Sequence, residues 1–124
     1  MPPDKLARKA LGAQGEELAV QFLLNENLEV IEQNFRCRIG EIDIIALDKC
    51  TICFVEVKTR RSLQFGAGYE SVLGKKQQKI MKTALLYLKS KGWSERDFRF
   101  DVISILLGGL EPDIEYYKGA FDGF

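Results

Sequence analysis

The stretch from Gly40 to Arg60, GEIDIIALDKCTICFVEVKTR, constrains the fold more than any other part of the chain. Residues 41–47 and 51–59 are rich in β-branched residues, which suit a pleated sheet. Between them, Asp48-Lys49 fits a two-residue hairpin turn. Residues 28–35 form a further strand candidate, and Arg36 to Gly40 turns the chain between the two.

Helical periodicity flanks these strands. From about residue 4 to 26, Leu11, Gly15, Leu18, Ala19, Phe22 and Leu23 follow the spacing of one buried helical face. Gly12 and Gly15 weaken that helix by about 1 kcal/mol each relative to Ala, and they also permit close backbone approach. A second helix is expected over residues 75–91. Ile80, Ala84, Tyr87 and Leu88 line one face of it, and Lys75, Lys79, Lys82 and Lys89 another. Gly92 fits its C-terminal cap. Residues 60–73, with Gly66-Ala67-Gly68, read as a flexible connection. Residues 98–106 read as a strand entering a core, Gly108-Gly109 as a turn, and residues 114–117 as a last short strand. The order is α-β-β-β-α-β-β. A strand, a crossover helix and another strand imply a parallel pair with a right-handed connection. The expected architecture is a mixed β-sheet with flanking helices, an α/β fold forming a single domain over residues 1–124.

The chain contains no histidine, which removes Ser-His-Asp and Cys-His triads and every His-ligated metal site. Its three cysteines, Cys37, Cys50 and Cys53, cannot complete a four-ligand zinc site. Cys50-x-x-Cys53 opens a strand pattern, whereas a thioredoxin-like pair opens a helix. These cysteines are expected to be structural, as small buried hydrophobes. No apolar run is long enough to span a bilayer, and no secretory segment precedes Gly15, so a cytoplasmic protein without a membrane partner is expected.

The chemistry available is that of carboxylates, lysine and a bound cation. With a turn at Asp48-Lys49, Asp43 faces Phe54, and Glu56 lies diagonally beyond it on the same face. Such neighbours are about 7–8 Å apart at Cα and closer at their side chains. Glu56 and Lys58 share a face because strand residues alternate. Two carboxylates about 4 Å apart repel by roughly 4 kcal/mol at an effective dielectric of 20. Glu41 shares the face and adds to the crowding. A divalent cation would neutralise the acids, and oxygen ligands point to Mg²⁺ or Mn²⁺. Lys58 would then hold or activate a water and stabilise charge developing on phosphorus. The bland alternative is a solvated strand edge, the usual fate of an isolated E-x-K. The apolar sequence around Glu56-Val57-Lys58 argues against it.

Asp43 followed by Glu56-Val57-Lys58 resembles the D…E-x-K core of the PD-(D/E)XK nuclease superfamily. More closely, the chain resembles the small bacterial YraN family, related to archaeal Holliday-junction resolvases. The resemblance is carried by Gly15-Glu16 with Leu18-Ala19, Asn34-Phe35-Arg36, Gly40 to Ala46, Phe54 to Arg60, Lys76 with Ala84 to Leu88, and Arg99 to Val102. It implies a restriction-endonuclease-like fold. It also implies a metal site from Asp43, Glu56 and the Val57 carbonyl, with Lys58 catalytic and Glu16 joining from the first helix. The substrate would be nucleic acid, DNA rather than RNA, and branched or repair intermediates are the expected kind. A homodimer would suit symmetric DNA.

Charge distribution agrees with an anionic partner. The chain has 18 basic and 18 acidic residues, yet residues 56–91 hold nine of the basic and only two of the acidic ones. Arg36, Arg60, Lys76 and Lys79 are the candidate phosphate contacts, against the alternative of a solvated lysine face. No base-reading motif is visible, so shape or low specificity is expected to govern recognition. Two other functions stay open: a nucleic-acid-binding module without turnover, and a redox or zinc protein using Cys50 and Cys53.

Overall fold

A computed structural model describes residues 5–61 and 75–121; residues 62–73 of the expected flexible connection and the side chains of Lys5, Arg8 and Lys75 lie outside the described residues. Helix α1 spans Lys5–Asn25. Strands β1 (Glu29–Arg36), β2 (Glu41–Asp48) and β3 (Thr51–Arg60) follow. Helix α2 (Lys75–Lys91) leads into β4 (Phe98–Leu106) and β5 (Asp113–Tyr117). The strands form one sheet in the order β1-β2-β3-β4-β5. The β3–β4 pair is parallel and the others are antiparallel. A parallel pair needs a crossover between its strands, and α2 lies in that crossover.

The two helices cover opposite faces of the sheet. Ala19 and Leu23 of α1 pack with Ile44, Cys53, Val55 and Ile103. Ile80, Ala84 and Tyr87 of α2 pack with Ile45, Phe54 and Val102 on the other side. Central strands with both faces buried read as nearly continuous apolar runs, as β2 to β4 do. Among the described residues no helix is long and apolar enough to cross a membrane.

Both helices end in the same cap. Asn27 (φ 68°) and Gly92 (φ 73°) take the left-handed conformation. The next amides, of Leu28 and Trp93, donate to Leu23 and Leu88 carbonyls at 3.0 and 2.8 Å. This is the Schellman arrangement, in which a residue after the cap bonds back to the last turn. Leu28 and Leu23 then meet in the α1-side core.

Gly15 sets how closely α1 approaches the sheet. A Cβ there would overlap the hydroxyl of Thr59 on β3. The close approach expected of this glycine is therefore made, and it places the next residue, Glu16, beside the end of β3.

Candidate metal centre

The β2–β3 hairpin differs from its expected register. Its turn residues are Lys49 and Cys50, and Asp48 pairs with Thr51. Asp48 stays on the strand, and its carboxylate accepts from Arg99 Nη2 on β4 at 2.9 Å. Lys49 takes a φ of 57° to close the turn. This one-residue displacement of the turn moves the register by two, so face parity is kept. Phe54 therefore pairs with Ile45 and not with Asp43, and the register continued one step past its last pair, Ile44 with Val55, would set Asp43 opposite Glu56.

Pairing between β2 and β3 ends at Ile44 and Val55. Strand alternation also breaks at this point. Ile42 packs in the α2-side core and Ile44 in the α1-side core, although residues two apart ordinarily share a face. On β1, Asn34 has a φ of 53° and drops out of the ladder between Gln33 and Phe35. The chain twists here, and Asp43 is turned into the fork between β2 and β3. Its Oδ2 accepts the Val57 amide at 2.8 Å. An extended residue points its N–H and C=O to the same side, so the Val57 carbonyl opens toward the same fork.

Glu56 is 5% exposed. Its Oε2 lies 3.8 Å from Lys76 Nζ on α2, and its Oε1 is buried with no hydrogen-bond partner. Burial, and then the Asp43 charge, push the Glu56 carboxyl up to about 8. Burial also raises Asp43, against the lowering effects of the Val57 amide and the amines of Lys58 and Lys76. Lys58 is brought down to about 8, by burial first and then by its neighbour Lys76. Glu16 is raised by burial and by Asp43. All of these shifts oppose charge on the group concerned, and burial is the leading cause of each.

A cleft of about 460 Å³ between α1 and the fork is lined by Leu11, Gly12, Glu16, Asp43, Val57, Lys58 and Thr59. It gathers four of the expected site residues. Glu56 does not line it, because that side chain leans toward Lys76. Among the described residues, no three His, Cys, Asp or Glu side chains converge as a ready-made ligand cluster. Glu16 is near Asp43 without completing a carboxylate triad. The oxygen donors offered by the fork are Asp43, Glu56 and the Val57 carbonyl. They fit a hard cation, and the unpartnered Glu56 Oε1 is an atom such a cation would satisfy.

The remaining site residues have distinct surroundings. Glu41 is exposed and pairs with Arg36 at 3.2 Å, and its charge still contributes to raising Asp43 and Glu16. Lys79 sits on the exposed side of α2. Arg60 is half-buried at the end of β3, where its carbonyl accepts the Leu107 amide at 2.8 Å. Lys76 does more than the phosphate contact expected of it, because it is the ion-pair partner of Glu56. Of the cysteines, Cys53 is buried, with its thiol pushed up to about 12 by burial and by Asp101. Cys50 is exposed in the turn, so the expected core role does not hold there.

One polar cluster carried no expected role. Asp101 is fully buried on β4, opposite Val55. It accepts from Arg99 Nε at 3.0 Å, from the Tyr116 hydroxyl at 2.5 Å and from the Gly119 amide at 2.9 Å. The sequence signal was an acid inside an apolar strand two residues after an arginine.

Residues 15–105 match the family described as uncharacterised protein family UPF0102. The chain belongs to the UPF0102 (YraN) family. UPF0102 proteins of Nocardia farcinica and Geobacter metallireducens are each 47% identical to it, over 115 and 117 residues. These alignments cover 92% and 94% of this chain and 91% and 96% of the relatives. The UPF0102 protein TTE1452 of Caldanaerobacter subterraneus is 47% identical over 120 residues, covering 97% of this chain and 98% of its own. The matched UPF0102 span runs from Gly15 to Ile105 and so includes Glu16, the fork and Lys76.

Proposed function

We propose that this UPF0102 protein is a metal-dependent nuclease that hydrolyses phosphodiester bonds in DNA. On this reading its sheet is a restriction-endonuclease-like core related to archaeal Holliday-junction resolvases. The observation that carries the reading is the buried Glu56 Oε1, which has no hydrogen-bond partner and belongs to a carboxyl that the Asp43 charge pushes up. A buried carboxylate with an unsatisfied oxygen is costly unless something binds it.

Asp43, Glu56 and the Val57 carbonyl would hold Mg²⁺ or Mn²⁺, with Glu16 close to Asp43 on the cleft wall. When bound, such an ion polarises a phosphate oxygen and acidifies bound water. The Val57 amide fixes the Asp43 carboxylate. Lys58, with a pKa near 8, exchanges protons readily around neutral pH and can orient the attacking water or steady charge on the phosphate. Lys76, Lys79, Arg36 and Arg60 would supply sequence-independent contacts to the backbone.

The Lys76–Glu56 pair favours a second reading. In it the amine takes the place of the cation, and the fold binds nucleic acid without turnover. A cleavage panel separates the two: linear, flapped and four-way DNA, plus RNA, each with Mg²⁺ or Mn²⁺. Nuclease activity is expected on at least one DNA and absent from folded Asp43→Ala, Glu56→Ala and Lys58→Ala. Cleavage that persists in those variants would refute the assignment. Binding without cleavage on every substrate selects the second reading.

A further inference from the structure

A second hollow, of about 360 Å³, opens beside the fork on the α2 side. It is lined by Ile39, Gly40, Glu41, Lys76, Lys79 and Ile80. The turn between β1 and β2 forms one wall and the first turns of α2 the other. Its volume lies at the lower end for pockets that bury small ligands, about 300–1,000 Å³. Gly40 lets the two walls meet, since a Cβ there would come within 3.0 Å of Thr83 Oγ1. Ile39 remains 37% exposed at the mouth.

The walls and the rim differ in character. The two isoleucines, the glycine and the methylene stems of the lysines make the walls apolar. Lys76 and Lys79 bring positive charge from α2. Glu41 is the acid among the lining residues, and Arg36 matches it at 3.2 Å. Simple anions would gain little from apolar walls, and a basic peptide would be repelled by the rim. A nucleotide offers both complements: a base with an apolar face, and phosphates on either side.

Position narrows the ligand further. Lys76 lines the hollow and also sits 3.8 Å from Glu56. A strand whose phosphate reaches the fork past Lys76 therefore brings a neighbouring base to this opening. Bases stacked in an intact duplex cannot enter, whereas an unpaired one can, at little unstacking cost.

We propose that the hollow receives one unpaired base of a nucleic-acid strand whose backbone crosses Lys76 and Lys79. The preferred substrate then carries a bulged, frayed or single-stranded nucleotide beside the reacting phosphate. This inference rests on the nuclease reading above.

The test measures binding by fluorescence anisotropy without metal, so that cleavage plays no part. Three labelled DNA duplexes are compared: fully paired, with one unpaired nucleotide, and with an abasic residue in place of that nucleotide. The wild type should prefer the unpaired base to the abasic residue by about tenfold, the size expected for burying one base. In Ile39→Ser the preference should shrink to about twofold or less. Equal affinity of the wild type for base and abasic duplexes overturns the proposal, as does a preference that survives Ile39→Ser. An Ile39-dependent dimer in sedimentation would also overturn it, giving the hollow to a second copy of the chain. Metal-dependent cleavage that ignores the base removes this proposal and leaves the nuclease reading standing. Absence of both binding and cleavage removes both.

Discussion

Asp43 accepts the Val57 amide at 2.8 Å, at the point where β2 and β3 stop pairing. One carboxylate therefore closes a backbone donor that the separated strands would otherwise leave open. Asn and Ala should separate this role from the charge. Asp43→Asn keeps an oxygen acceptor and loses the negative charge, so it should fold with stability close to wild type. Asp43→Ala leaves the Val57 N–H without its partner and should cost about 1–3 kcal/mol in urea unfolding. Both should lose any rise in Tm on adding Mg²⁺ or Mn²⁺, as a charged ligand requires. A thermal shift retained by Asp43→Asn would take the metal away from this residue.

The pH dependence of stability follows from Glu56. Its carboxyl is raised from 4.5 to about 8, so the folded state holds a proton that the unfolded state has released between those values. Stability of the metal-free protein should fall as pH rises through that window. The raised Asp43 acts with the same sign. Lys58 acts above it: lowered from 10.5 to about 8, it costs stability below that value and is relieved as pH rises toward 10.5. Measurements from about pH 5 to about pH 7 therefore isolate the acids. Across that range Glu56→Gln should flatten the decline, gaining on the order of 2 kcal/mol over wild type at the upper end. Divalent cation added to the wild type should do the same. An equal pH slope in both proteins would show that Glu56 titrates normally.

Much of this fold is legible in the sequence because its signals are local. The apolar stripes of α1 and α2 follow helical spacing: Ala19, Leu23, Ile80, Ala84, Tyr87 and Leu88 are buried, while Leu11, Leu18 and Phe22 are half-buried. The β3–α2–β4 order makes a parallel pair natural. The acid pair is legible only in part: moving the turn from Asp48-Lys49 to Lys49-Cys50 keeps face parity as far as the Ile44–Val55 pair, and Asp43 lies just beyond it, where alternation breaks. Asp48, kept on the strand, meets Arg99, 51 residues away, a contact that no local pattern encodes. The twist that swings Asp43 into the fork depends on Asn34 in a neighbouring strand. The Lys76–Glu56 pair likewise joins separate elements, so a helical lysine stripe reads as solvated until α2 is docked.

Two glycines in α1 should respond in opposite directions. Gly12 has nothing within 4 Å of where its Cβ would lie, whereas Gly15 is pressed against Thr59. Gly12→Ala should stabilise by up to about 1 kcal/mol through helix propensity alone. Gly15→Ala should destabilise by about 1–3 kcal/mol, because the helix must lift from β3. Lifting α1 also carries Glu16 away from Asp43, so the proposed nuclease activity should fall further than the loss of folded protein explains. Thermal unfolding of the two variants side by side decides it. Equal Tm changes would mean that α1 docks without the close Gly15 contact.

Asp101 tests whether the second acidic cluster is structural. Its carboxylate gathers Arg99, Tyr116 and the Gly119 amide, and so ties β5 and the following turn to the centre of the sheet. Arg99 continues the chain of contacts to Asp48 and thereby to the β2–β3 turn. Without Asp101, Arg99 keeps Asp48, but the Tyr116 hydroxyl and the Gly119 amide lose their acceptor, and an unsatisfied buried donor costs about 1–3 kcal/mol. Asp101→Ala should therefore lose stability on that order, with β5 amides exchanging fastest with deuterium. Asp101→Asn keeps an acceptor for Gly119 and should lose less. Neither variant alters the fork, so at temperatures where they remain folded, metal binding should match wild type. A loss below about 1 kcal/mol in Asp101→Ala would mean that the cluster is not what anchors β5.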